Sequence, residues 1–161
     1  MAALPSTIQR LIDLGIDVSV ETGFGDSLYI FDKDFEDSGA EIIKDRSEEL
    51  AVSDMVCRIN KPPEDEIHIL KEGGIHISFL DPFNEKNLVD AFVSSRSTAI
   101  SMELVPRITR AQKMDALSSQ ANLGGYAAVI EASKHLTKSF PMMMTAAGTI
   151  SPSKVFVIGV G

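Results

Sequence analysis

Short apolar runs that alternate with helical stretches restrict this chain more than any other feature in it. Residues 17–21 alternate polar and apolar side chains, and residues 54–60, 75–80 and 98–103 are three further runs with the composition of strands. Residues 41–44 predict a brief additional strand. Between these runs lie helical segments at 32–38, 47–51, 64–70 and 86–93, punctuated by Gly39, Pro62-Pro63 and Gly73-Gly74. An opening helix over 6–14 has Ser6 or Thr7 as its cap and Gly15 as its terminator. Strands joined through helices pair in parallel, because a tight hairpin cannot connect them. The pattern therefore predicts an α/β fold, a parallel sheet with helices on both faces. Ligands of such sheets collect outside the carboxyl ends of the strands, which is where the segment after residue 103 begins.

That segment is the densest collection of hydrogen-bonding side chains in the chain. Asp115 precedes a run rich in Ala and Leu that has the composition of a long buried helix, so its carboxylate is expected to cap the helix by accepting from the Ser118 amide. Residues 107–114 then form a loop before a helix N-terminus, a place with free backbone donors and a positive dipole end. Ser118, Asn122, Gly125 and Val129 share one face of that helix, with Tyr126 about 80° round from Ser118. Gly124 and Gly125 are adjacent, which suggests the close approach of another backbone. Near the end, residues 155–158 predict a buried parallel strand, followed by Gly159-Val160-Gly161, the first two glycines of G-x-G-x-x-G.

Composition narrows the field. The chain has 161 residues, 44% hydrophobic and 24% charged, enough for a real core. With 23 acidic against 15 basic residues the formal charge is −8, and the scattered Lys and Arg argue against a nucleic-acid surface. No apolar run reaches the ~20 residues of a membrane span, so association with a membrane would require a partner. One cysteine, Cys57, excludes an internal disulfide and is expected to be a buried thiol in a reducing compartment. A Ser-His-Asp triad from Ser118, His135 and Asp115 fails, because the intervening helix separates Ser118 and His135 by ~25 Å. His68 and His76 lack companions at metal-ligand spacing and are expected at the surface. Asp32, Asp34 and Asp37 are expected on a solvated acidic helix. Met142, Met143 and Met144 suit a linking helix.

The segment 106–126, Pro-Arg-Ile-Thr-Arg-Ala-Gln-Lys-Met-Asp-Ala-Leu-Ser-Ser-Gln-Ala-Asn-Leu-Gly-Gly-Tyr, together with Phe-Pro-Met-Met-Met-Thr-Ala-Ala-Gly-Thr-Ile and Lys-Val-Phe-Val-Ile-Gly-Val-Gly, closely resembles the NAD(H)-binding alpha subunit of proton-translocating NAD(P)+ transhydrogenase. The resemblance runs the length of the chain from Ala2. It is weakest over residues 78–88. It implies a partial chain: residues 1–139 as the alanine dehydrogenase/transhydrogenase N-terminal domain, Rossmann-like or flavodoxin-like and lacking its first strand, then 140–161 as a linker and the first strand of a truncated NAD-binding Rossmann domain.

Function and site residues follow from the same resemblance. It implies hydride transfer from NADH to NADP+, with NADP(H) on a partner subunit and proton movement through membrane-embedded subunits. The NAD(H)-binding component would be a homodimer without nucleic acid or metal, cytoplasmic and peripheral to the membrane. Arg107, Gln112 and Asp115 would act at the nicotinamide end of NAD(H), assisted by Ser118 and with Tyr126 nearby, and Gly159 and Gly161 would approach its phosphates. In the sister family, alanine dehydrogenase, a lysine and a histidine act on the substrate; Asn60 and Asp81 occupy those places here, which disfavours that activity. A fragment inactive by itself, or a docking module, is the remaining alternative.

Overall fold

The computed structural model describes residues 1–159. They fall into two compact units, Met1–Met114 and Asp115–Gly161. In the first unit, α1 (Pro5–Asp13) is followed by β1 (Ser19–Glu21), α2 (Asp32–Asp37), β2 (Glu41–Ile43), α3 (Arg46–Val52), β3 (Met55–Cys57), α4 (Glu64–Ile67), β4 (Ile75–Ser78), α5 (Lys86–Ser95) and β5 (Thr98–Ser101). All the ladders here are parallel: β1 pairs with β2, and β3, β4 and β5 form a sheet in that order. The α/β alternation of the sequence is thus the architecture.

Local chemistry sets the element ends. Helix α1 starts at Pro5 with Leu4 as its N-cap, not at Ser6 or Thr7. Proline at the first helical position sacrifices no hydrogen bond and has its φ already set. Gly15 closes the helix at φ +82, its amide donating to Ile12 O. Gly39 does the same after α2, at φ +93. Helix α3 is capped by Asp45, whose carboxylate accepts from the Ser47 and Glu48 amides.

Two apolar clusters lie in this unit. One gathers Ile8, Val20, Phe35 and Ala40 around β1, and the other Ile67, Leu80, Leu88, Ala91 and Phe92 between β4 and its flanking helices. Charged side chains connect the two strand groups. Arg46 binds Glu21 at 2.7 Å and Glu66 at 3.1 Å, and Arg58 binds Glu66 at 2.6 Å. Burial pushes the Glu66 carboxyl up, but Arg58 and then Arg46 hold it below its ordinary range.

Several residues stand differently from their sequence-based expectation. His76 is 0% exposed, because alternate residues of β4 face inward and its ring stacks at a tilt on Phe92 with centroids 5.3 Å apart. Cys57 lies on β3, an edge strand, and its residue is exposed; burial of the sulfur still pushes the thiol pKa up, away from nucleophilic use. The acidic helix is tied in at its start: Asp32 accepts from Thr22 Oγ1 at 2.6 Å and from the Gly23 amide at 2.8 Å.

The second unit holds α6 (Ala116–His135) and a hairpin of β6 (Met143–Thr145) with β7 (Gly148–Ile150). The methionine run is therefore strand, not linking helix. Pro141 cannot donate to a helical ladder, and Gly148 at φ +140 supplies a conformation that helices lack. Residues 155–158 belong to no ladder among the described residues and are exposed, Val155 at 61% and Ile158 at 89%. A parallel strand takes all its hydrogen bonds from neighbours, and none lies alongside within the described part of this unit.

Candidate functional site

The segment from β5 to the end of the first unit is short and stiff. A 3-10 turn over Met102–Leu104 follows the strand directly, and Thr109–Met114 forms a second 3-10 run. Between them, Pro106 has a fixed φ and restricts Val105, while the Ile108 amide donates to Pro106 O at 2.9 Å. Ala111 is 3% exposed and pins the 3-10 run to the body of the unit. Arg107 and Gln112 flank that anchor and are both exposed, with their heads available to a ligand.

Glu103 is a member of this segment that the sequence pattern does not single out. Its Oε1 accepts from the Leu80 amide at 2.9 Å and also from the Asp81 amide, tying the turn after β4 to the turn after β5. Burial pushes the Glu103 carboxyl up; the Ser101 hydroxyl and the amides of Glu103, Asp81 and Leu80 more than offset this and hold it below its usual range. The available signal was an acidic residue ending an otherwise apolar strand run.

In the second unit, Asp115 is the N-cap of α6, as expected from sequence, and one of its oxygens accepts from the Ser118 amide at 2.9 Å. Its other oxygen accepts from the Ser118 hydroxyl at 2.6 Å. Ser119 adds a bond from its hydroxyl to Asp115 O at 3.0 Å. Asp115 and Ser118 are thus held as one polar unit at the mouth of a 20-residue helix. Each carboxylate oxygen has two lone-pair sites, so both can accept again from a ligand amide.

Beyond the cap the helix departs from expectation. Its apolar side chains are exposed rather than buried, with Tyr126 71% exposed. They are spread around the whole circumference, so no single packed face could bury them. Among the described residues, nothing lies within 4 Å of where a Cβ on Gly124 or Gly125 would sit, so no backbone there makes the expected close approach. Gly159 has φ +85, a conformation suited to glycine. Gly161 lies outside the described residues.

The fold defines the class: a parallel α/β protein whose last strand of the first unit leads, at its carboxyl end, into a polar loop and a capped helix. Two family models cover almost all of it. Alanine dehydrogenase/PNT, N-terminal domain, matches residues 1–124, and alanine dehydrogenase/PNT, C-terminal domain, matches residues 128–161. The chain belongs to the alanine dehydrogenase/PNT family, on its transhydrogenase side. It is 40% identical to the first of the separately encoded portions of NAD(P) transhydrogenase subunit alpha in Rhodospirillum rubrum, with 100% of this chain and 43% of that protein aligned. Identity is also 40% to NAD(P) transhydrogenase subunit alpha of Haemophilus influenzae, again over 100% of this chain and over 31% of the relative. The crystal structure of transhydrogenase from Sinorhizobium meliloti superposes with a TM-score of 0.92 at 40% identity, covering 99% of this chain and 48% of that one. The chain therefore spans less than half the length of these relatives. Among the described residues, no helix is long and apolar enough to cross a membrane.

Proposed function

We propose that this chain is part of the NAD(H)-binding component of a proton-translocating transhydrogenase. Its domains divide at about residue 139, the second being the start of a Rossmann NAD-binding domain. Bound NADH supplies the hydride, which passes to NADP+ held by a partner subunit. Membrane-embedded partners carry the proton, the component itself being a homodimer peripheral to the membrane on the cytoplasmic side. The single observation that carries this reading is the Asp115–Ser118 pair, bonded at 2.6 Å at the N-terminus of α6.

That pair fits the carboxamide of a nicotinamide. An amide N–H donates to a carboxylate, and a ring held through its carboxamide presents one face. Arg107 supplies positive charge and a planar fork of donors beside it in sequence. Gln112 offers two donors and an acceptor, which suits a side chain that must meet two rings during direct hydride transfer. None of these roles requires a residue to abstract a proton. Tyr126 lies beyond them along α6, and Gly159 with Gly161 serves the close approach of backbone to the pyrophosphate.

Asp115→Asn is the direct test in the subunit that carries this sequence. Asparagine still caps a helix, so stability should fall by no more than about 1 kcal/mol. NADH affinity should fall by roughly 1–3 kcal/mol, measured by fluorescence titration. Unchanged affinity would remove Asp115 from the site.

A further inference from the structure

Glu103 stands four residues before Arg107, outside the set of side chains assigned to the dinucleotide, yet it is the most heavily bonded group in the segment. Its Oε1 takes both the Leu80 and the Asp81 amides. Asp81 reaches it from a left-handed backbone conformation at φ +51, which a non-glycine residue adopts only where its surroundings impose it. Asp81 is itself braced by Asn84, whose side-chain amide donates to both carboxylate oxygens at 2.9 and 3.1 Å. The turn after β4 is thus a rigid block, and Glu103 fastens the end of β5 to it.

Little slack separates this fastening from the loop. Leu104, Val105 and Pro106 intervene; the Val105 amide donates to Met102 O at 3.3 Å, and the proline restricts both itself and its predecessor. On the far side, buried Ala111 fixes the 3-10 run that carries Gln112. The stretch bearing Arg107 is therefore held at two points, one a carboxylate and one an apolar side chain.

We propose that Glu103 is a positioning residue for hydride transfer: by clamping the Leu80–Asp81 turn to the end of β5 it sets where Arg107 and Gln112 present their heads. The proposal rests on the transhydrogenase reading given above. Asp115 and Ser118 hold each other, so loss of the clamp should disturb the geometry of transfer more than the binding of NADH. The carboxyl is held below its ordinary range, in keeping with an acceptor that stays ionised while it holds two backbone donors.

The test uses assembled transhydrogenase containing this subunit sequence, with kcat and KM for NADH measured for Glu103→Ala, Glu103→Gln, Gln112→Asn and the Glu103→Ala/Gln112→Asn double variant. Glu103→Ala should lower kcat about 10- to 100-fold, as expected for misplaced reacting groups, with KM for NADH changed less than about threefold. Glu103→Gln keeps an oxygen that can accept both amides and should recover most of the lost kcat. In the double variant, the clamp mutation should add less than about threefold to the loss caused by Gln112→Asn, because both act through one loop. Wild-type kcat in Glu103→Ala, or full multiplicative losses in the double variant, would overturn the clamp. Should Glu103→Ala fail to fold, the Gln variant decides alone: a kcat near wild type supports the clamp, and a collapse of kcat in a folded Gln variant refutes it. Absence of NADH-to-NADP+ transfer in the wild-type assembly would instead sink the functional reading itself.

Discussion

At the scale of single residues, the polar cap was legible and the buried histidine was not. Asp115 announced itself because an acidic residue before a helical run has few better uses than accepting an amide, and the Ser118 partner followed from the spacing. His76 gave no such sign. Which residues of β4 point inward depends on packing against α5, and the run Ile-His-Ile-Ser leaves that choice open. Its consequences are measurable. Burial, then the charge of Arg58, lowers the His76 pKa from 6.5 to about 4, with Glu66 opposing. Its Nδ1 is buried without a hydrogen-bond partner, which also suits a neutral ring. The unfolded chain takes up a proton at the ordinary value while the folded chain resists, so the stability due to neutral His76 is full above pH 6.5 and is lost as pH falls toward about 4. Denaturant titrations of wild type and His76→Leu should therefore diverge across that window, the wild type losing on the order of 1–3 kcal/mol more. Parallel pH dependence in the two proteins would show that His76 is not the titrating group.

The secondary elements were legible where glycine, proline and an acidic cap marked their ends, and less so where partners decided. Helix α3 illustrates the first case: Asp45 accepts two amides and fixes the start at Arg46. Asp45→Ala should cost about 1 kcal/mol in thermal or denaturant unfolding, and no change would mean the cap contributes nothing. The strands illustrate the second. Residues 54–60 and 75–80 had strand composition throughout, but the ladders take in only Met55–Cys57 and Ile75–Ser78. Hydrogen bonding ends where the neighbouring strand turns away, and composition does not report that. Helix α6 and residues 155–158 are the larger departures. Apolar composition predicted burial for both, and both are exposed, because composition says that a surface should be covered without saying what covers it. The methionine hairpin was missed for a related reason: Met has no strong preference that would separate strand from helix.

For the whole molecule, parallel crossovers were readable from alternation alone, since helices between strands leave no antiparallel alternative for neighbours. The site's chemistry needed more than one-dimensional pattern: Glu103 reaches back across 23 residues to Leu80, a link visible only in the fold. The chain spans 43% of the Rhodospirillum rubrum relative, so its dinucleotide contacts are expected to be incomplete. The 161-residue chain alone should accordingly show weak NADH binding in a fluorescence titration; a micromolar site would mean that these residues suffice. The central claim concerns the nicotinamide ring. A crystal structure of the subunit carrying this sequence, with NADH bound, tests it most directly. The account predicts the carboxamide within hydrogen-bonding distance, about 3 Å, of Asp115 and Ser118, with Arg107 and Gln112 beside the ring. A ring bound elsewhere, touching none of these four side chains, would contradict it.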